Sequence, residues 1–322
     1  MKAIQLDRTG GPEVLQVVDI SVQRPKASQA IVKVAASGVN FIDIYQREGR
    51  YKVPLPFVLG QEGAGVVSEV GAEVHSVKAG DRVAWASVLG SYAEYAAVPA
   101  ERLVAIPHGV TEQQAAAAML QGMTAHYLIF SAFPLKLGQT ALIHAAAGGV
   151  GQLLVQMAHH LGARVIATVS TEQKARLARA AGADEVILYT QQDFETETKR
   201  LTDGHGVDVV YDGVGKTTFE KGLNVLRTRG YMVLFGGSSG AVPPFDLIQL
   251  STKGSLFVTR PTLGHYTATT EELQARASAV FGMIREGQLK LRIEHTYQLA
   301  DAAQAHRDLE ARKTTGKLLL LP

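Results

Sequence analysis

The chain of 322 residues contains no cysteine, which excludes disulfides, thiolate metal ligands and a cysteine nucleophile. No apolar run approaches the ~20 residues needed to cross a bilayer. Charge of neither sign dominates: 32 Lys and Arg stand against 30 Asp and Glu, for a net charge of +2. These charges are scattered rather than blocked, so nothing marks a nucleic-acid or membrane-surface footprint. The opening "MKAIQLDRTGGPEVL" carries Asp7 and Glu13 and lacks the apolar core of a signal peptide. The ten histidines include no H-E-x-x-H pair, and no serine triad, paired-carboxylate site or nucleotide-hydrolysis loop stands out. What remains is a soluble, cytoplasmic protein whose 46% hydrophobic and 19% charged residues suit about two packed domains.

The first third reads as β-rich. "QAIVKVAASGV" (29–39), "GAGVVSEVG" (63–71), "AGDRVAW" (79–85) and "SYAEYAAVP" (91–99) are short β-branched runs separated by turns, the pattern of a partly closed barrel. The Ala-rich stretch 111–130 is helical, with Thr111 as N-cap and Gln114 completing a capping box. Beyond it, apolar strands alternate with helices about six times, as expected for a parallel sheet covered on both faces. In that reading "TTFEKGLNVLRTRG" (217–230) is a helix and "YMVLFGG" the strand after it. The last sixty residues are too few for another domain and return to complete the first.

The strongest local signal is "ALIHAAAGGVGQLLVQMAHHLGA" (141–163): a strand, a small-residue turn and an amphipathic helix. Small residues let the backbone approach a pyrophosphate, and the helix N-terminus supplies N–H groups and positive potential. In G-x-G-x-x-G register the slots are Ala146, Gly148 and Gly151, so the first glycine is an alanine. The next strand separates the two dinucleotides. An NAD site places a carboxylate at that strand's end to hold the ribose 2′-hydroxyl. Here the end is Val169–Ser170, with Ser170 and Thr171 able to donate to a phosphate and Lys174 one helical turn on. The missing acid favours NADPH.

Taken together, "GGPEVL" (10–15), "GVNFIDIYQREG" (38–49), "AGDRVAW", "GQTALIHAAAGGVGQLLVQ" (138–156), "VVYDGVG" (209–215), "GSLFVTRPTL" (254–263) and "TTGKLLLLP" (314–322) give the chain a resemblance along essentially its whole length. It resembles the zinc-independent quinone oxidoreductases, the zeta-crystallin type of the medium-chain dehydrogenase/reductase superfamily. The resemblance implies an α/β fold: a GroES-like, partly open β-barrel catalytic domain (1–123 with 263–322) into which a Rossmann domain (124–262) is inserted. It implies an active site in the cleft between them and a homodimer formed through the edges of the Rossmann sheets, with "GSLFVTRP" as the edge.

The resemblance also assigns residues. Asn40, Tyr45 and Tyr51 are the catalytic candidates, as hydrogen-bond donors to the carbonyl oxygens of a quinone. Cofactor contacts fall on Phe41, Ile42, Asp43, Thr124, Gly148, Gly149, Val150, Ser170, Lys174, Tyr189, Gly237, Ser238, Phe257, Val258 and Arg312. Zinc-dependent relatives bring a Cys from the early loop and a His from a "GHE" triplet. Here those positions read Ser37 and Gln61, so no metal is expected, and Gln61 and Glu62 read as scaffold of a tight turn eased by Gly63 and Gly65. The leading function is NADPH-dependent quinone reduction. Reduction of an activated C=C bond in enals or enones, and NADPH binding without catalysis, are the alternatives.

Overall fold

The computed structural model describes residues 1–322. Two compact units form: residues 1–123 together with 266–322, and residues 124–265. The N-terminal part of the first unit holds β1 (Lys2–Leu6), β2 (Gln16–Asp19), β3 (Gln29–Val39), helix α1 (Phe41–Arg47), β4 (Phe57–Val58), β5 (Glu62–Val70), β6 (Arg82–Ala86), β7 (Tyr95–Pro99) and β8 (Val104–Ala105). Helix α2 (Glu112–Tyr127) follows. Its capping box forms as the sequence indicates: Gln114 N–H donates to Thr111 Oγ1 at 3.2 Å and Thr111 N–H to Gln114 Oε1 at 2.9 Å.

The second unit alternates strand and helix: β9 (Thr140–Ile143), α3 (Gly149–His160), β10 (Arg164–Val169), α4 (Glu172–Ala180), β11 (Glu185–Leu188), α5 (Phe194–Leu201), β12 (Val207–Asp212), α6 (Phe219–Asn224), β13 (Leu226–Leu234), α7 (Ile248–Thr252) and β14 (Phe257–Thr259). The chain then returns to the first unit as α8 (Thr270–Arg285), β15 (Ile293–Gln298), α9 (Ala302–Glu310) and β16 (Lys317–Leu321).

In the first unit the main sheet runs β15-β16-β3-β5-β6-β8, with β7 also on β3, beside a three-stranded sheet β2-β1-β4. The last strand completes it: Leu318, Leu319 and Leu320 pair antiparallel with Val39, Gly38 and Ser37. One core gathers Ile4, Leu6, Val39, Leu59, Tyr92, Leu318 and Leu320; a second gathers Val32, Val67, Val83, Trp85 and Val98. Each such buried aliphatic side chain contributes ~1.5–3 kcal/mol. Gly63 and Gly65 do not serve a turn, as the sequence suggested. They lie inside β5, paired with β3 and β6, and a Cβ on Gly65 would collide with the Lys33 carbonyl, one on Gly63 with the Trp85 ring. The glycines are there for close strand approach.

The second unit's sheet is entirely parallel in the order β11-β10-β9-β12-β13-β14, the doubly wound dinucleotide order with its switch point between β9 and β12. Leu142, Ile166, Val210, Met232, Phe219 and Leu234 fill its core. The reading of 217–230 as one helix is corrected: α6 stops at Asn224, and Leu226–Gly230 already belongs to β13. A register shift against β12 and a left-handed Arg229 (φ 60°) absorb the polar "RTRG" into the strand. Such irregularity hides the two-residue period that marks a strand.

Candidate active site

In the second unit, β9 ends at Ile143 and the chain turns through His144–Ala147 into α3. The turn's left-handed residue is Ala145 (φ 51°), one place before the slot the glycine pattern gives to the first glycine. Gly148 is the N-cap, and no side chain caps the helix. The amides of Gly149 and Val150 therefore open the helix without a side-chain acceptor, as an anion site requires. Gly151 packs so closely under the turn that a Cβ would strike the Ala145 carbonyl oxygen. Beneath it, buried His144 shares a 2.8 Å hydrogen bond with Thr168 Oγ1 and meets Phe194 edge-on. Burial holds its pKa below the usual histidine range, so the ring is neutral at pH 7.

The ends of β10 and β11 lie side by side, Val169 opposite Leu188. This brings Ser170 and Tyr189 together: Tyr189 N–H donates to the Val169 carbonyl at 3.1 Å, and Thr190 Oγ1 to the Ser170 carbonyl at 2.9 Å. Thr171 caps α4 by accepting from the Lys174 amide, which fixes Lys174 in the first turn. No carboxylate ends β10. Gly237 and Ser238 follow β13 at the same end of the sheet, where Ser238 N–H donates to the Gly213 carbonyl at 3.2 Å. Thr124 is buried at the start of this unit. Phe257 and Val258 lie on β14, the edge strand: Phe257 stacks on Tyr231 with centroids 4.5 Å apart, and Val258 packs on the core. The structure thus groups Gly148–Val150 at one turn, sets Ser170 and Tyr189 on the neighbouring strand ends with Lys174 in the first turn of α4, and puts Phe257 and Val258 on the edge.

In the first unit, Asn40, Phe41, Ile42, Asp43 and Tyr45 all belong to α1 or its N-cap. Tyr45 meets Tyr51 edge-on at 5.4 Å and lies tilted against Phe41 at 6.2 Å, and the Arg50 guanidinium lies 5.4 Å from the Tyr45 ring centroid. Tyr45 is buried and Tyr51 is 44% exposed, so this aromatic group reaches the surface at one end. Arg312 is elsewhere: exposed, in the left-handed residue (φ 56°) past the end of α9.

Beneath α1 lies a buried polar network that sequence reasoning missed. Asn40 Nδ2 donates to Glu62 Oε2 at 2.9 Å and to the Gly38 carbonyl, while its Oδ1 accepts from Lys317 Nζ at 2.8 Å and from Gln121. Lys317 also donates to Glu62, whose other oxygen accepts the Leu120 N–H. Asp43 Oδ2 accepts the Asn40 N–H at 2.8 Å and the Tyr92 hydroxyl at 3.0 Å. Tyr92 Oη in turn lies 3.2 Å from His306 Nε2, and His306 Nδ1 lies 3.2 Å from Arg47 Nη1. Arginine can only donate, which fixes every direction in this chain. Arg47 donates to Nδ1, the neutral ring carries its proton on Nε2 and donates to Tyr92, and Tyr92 donates to Asp43. Arg47 is itself paired with Glu310 at 2.7 Å.

Burial dominates the electrostatics here. It raises the Asp43 pKa to about 7 against the lowering effect of its hydrogen bonds and of Lys317. It depresses His306 to about 3, helped by Arg47. Two sequence features carried a signal for the network: an acid within "GQEGAG" and a lone lysine in "GKLLLLP". Glu62 is the centre of a charge cluster rather than turn scaffold. The Ser37 hydroxyl donates to the Ser91 carbonyl, and no three His, Asp or Glu side chains converge as metal ligands.

Two family models match the chain: the alcohol dehydrogenase GroES-like domain over residues 26–108 and the zinc-binding dehydrogenase over residues 149–278. A quinone oxidoreductase of Pseudomonas aeruginosa is 48% identical, with 100% of this chain and 99% of the relative covered. Quinone oxidoreductase 1 of Escherichia coli is 45% identical over 99% of each chain. The crystal structure of the Escherichia coli quinone oxidoreductase complexed with NADPH superimposes with a TM-score of 0.98 at 44% identity, covering 100% of both chains.

Proposed function

The chain belongs to the quinone oxidoreductase family of the medium-chain dehydrogenases/reductases, and from that premise we propose that it reduces quinones with NADPH. The observation that carries the cofactor preference is the end of β10: it has no carboxylate, Ser170 follows it beside the end of β11, and Lys174 stands in the first turn of α4. The groups present fit this dinucleotide. The uncapped α3 N-terminus holds its pyrophosphate through Gly149 and Val150, and Lys174 with Ser170 neutralises and hydrogen-bonds the extra phosphate. Gly237 and Ser238, at the carboxyl end of the sheet, complete this side.

Bound NADPH supplies the hydride. The first unit's part is to present the acceptor. Tyr45, Tyr51 and Phe41 form an aromatic group that reaches the surface at Tyr51; a quinone ring packed against it would be oriented, which lowers the entropic part of the barrier. The tyrosine hydroxyls are the donors for the oxygen that gains charge. Asn40 acts one step back: its amide is committed to Glu62, Gly38, Lys317 and Gln121, so it holds the N-terminus of α1 in place.

The same reading makes the enzyme a homodimer through β14, whose exposed Phe257 stacked on Tyr231 is the apolar part of an open sheet edge. It also places the enzyme in the cytoplasm, where a chain without cysteine forgoes nothing. Reduction of activated C=C bonds uses the same fold and cofactor, but the relatives at 45–48% identity are quinone oxidoreductases. Steady-state NADPH oxidation with simple quinones and with 2-alkenals tests the reading. A kcat/KM higher on quinones is the expected result, and one much higher on alkenals overturns it.

A further inference from the structure

Asp43 is the one acid in α1, and its two oxygens differ. Oδ2 accepts from both the Asn40 N–H and the Tyr92 hydroxyl, while Oδ1 is buried without a partner. An ionised carboxylate with an unmatched buried oxygen is costly, and a neutral carboxyl group with an unmatched hydroxyl there costs less. Its surroundings are fixed on every side. Tyr92 comes from the loop before β7, Glu62 from β5 and Lys317 from β16. Arg47 on the same helix and His306 on α9 stand behind Tyr92, with Glu310 paired to Arg47. Two residues further along α1 is Tyr45, packed against Tyr51.

We propose that Asp43 is a positioning residue for the acceptor side of the reaction: its proton sets how firmly α1 is docked, and with it the placement of Tyr45 and Tyr51. The docked helix holds Asp43 out of water and favours the protonated form. A helix that has lifted away returns the carboxyl to solvent, where it ionises readily. Proton release therefore favours the lifted helix, and the directed chain Arg47–His306–Tyr92 supplies the hydrogen bond that moderates the effect. The raised pKa of about 7 places the loosening in the window from about pH 4 to about 7, complete above it. The link to acceptor binding rests on the proposed function; the behaviour of α1 does not.

The test compares wild type with Asp43→Asn, which keeps the carbonyl that accepts from Asn40 and Tyr92 but cannot ionise. Amide exchange in α1, measured for both proteins at each pH, cancels the intrinsic pH dependence of exchange. The two should match near pH 4.5. Above that, the wild type should exchange progressively faster than the variant, by up to about tenfold per pH unit, levelling above about pH 7. Glu62→Gln, which removes a like charge, should move the levelling point down, and Tyr92→Phe, which removes a stabilising bond, should move it up. In turnover, the wild-type KM for a quinone should rise across the same window and that of Asp43→Asn should stay level. Equal exchange at every pH, shifts of the same sign in the two further variants, or a level wild-type KM overturns the proposal. Loss of all quinone turnover would instead overturn the proposed function, leaving the exchange comparison to decide Asp43.

Discussion

Lys317 in the last strand donates to Glu62, 255 positions earlier, and both side chains are almost wholly buried, at 3% and 0% exposure. The pair joins β16 to β5 across β3 and grips Asn40 at the head of α1. A buried pair broken from one side leaves a stranded charge, which typically costs about 3–5 kcal/mol. Lys317→Met is therefore expected to destabilise the protein by about that much in urea unfolding. Adding Glu62→Gln to it should restore a large part of the loss, since the charge is then gone from both sides.

His306 makes a separate, acid-side contribution. Its folded pKa of about 3 lies below the ordinary value of 6.5. The stability it contributes is present above pH 6.5 and is lost as the pH falls through the folded value. Thermal melts from pH 7 to pH 4 should show a steep fall in wild type and a shallower one in His306→Gln. The variant starts lower at pH 7, by about 1–3 kcal/mol, because Arg47 and Tyr92 lose a buried partner.

Lys174 is expected to act only through the extra phosphate. Lys174→Ala should lower kcat/KM for NADPH by about tenfold or more, equivalent to ~1.4 kcal/mol, and leave that for NADH within about twofold. Raising the ionic strength should shrink the wild-type preference for NADPH, as expected of a surface phosphate contact.

The phosphate turn offers two substitutions of opposite sign. Ala145 adopts φ 51°, a conformation costing a non-glycine residue ~1–2 kcal/mol. Ala145→Gly removes that cost and adds unfolded-chain entropy, so melting should show a change between zero and about 1 kcal/mol of stabilisation. Gly151→Ala drives a Cβ into the Ala145 carbonyl, and titration should show NADPH binding largely lost.

The phosphate turn and the Thr111–Gln114 cap were legible in the sequence because each is written within a few consecutive residues, and the parallel sheet because its strands and helices alternate as regular local runs. Segments that depart from a regular period were not. Leu226–Gly230 reads as helix until the bulge against β12 and the left-handed Arg229 are seen. Gly63 and Gly65 read as turn residues until their neighbours, Trp85 and Lys33, are known. The network under α1 was the least legible, since its partners stand up to 277 positions apart and no local spacing records that meeting. A single charged residue in an apolar strand is the trace it leaves, as with Lys317 in "GKLLLLP".

Quinone reduction with NADPH is tested most directly by a competition. A simple quinone and a 2-alkenal at equal concentration share limiting NADPH, and the products are counted. Hydroquinone or semiquinone-derived product in excess, with little turnover when NADH replaces NADPH, is the expected result. Saturated aldehyde in excess, or equal rates with the two cofactors, would contradict it.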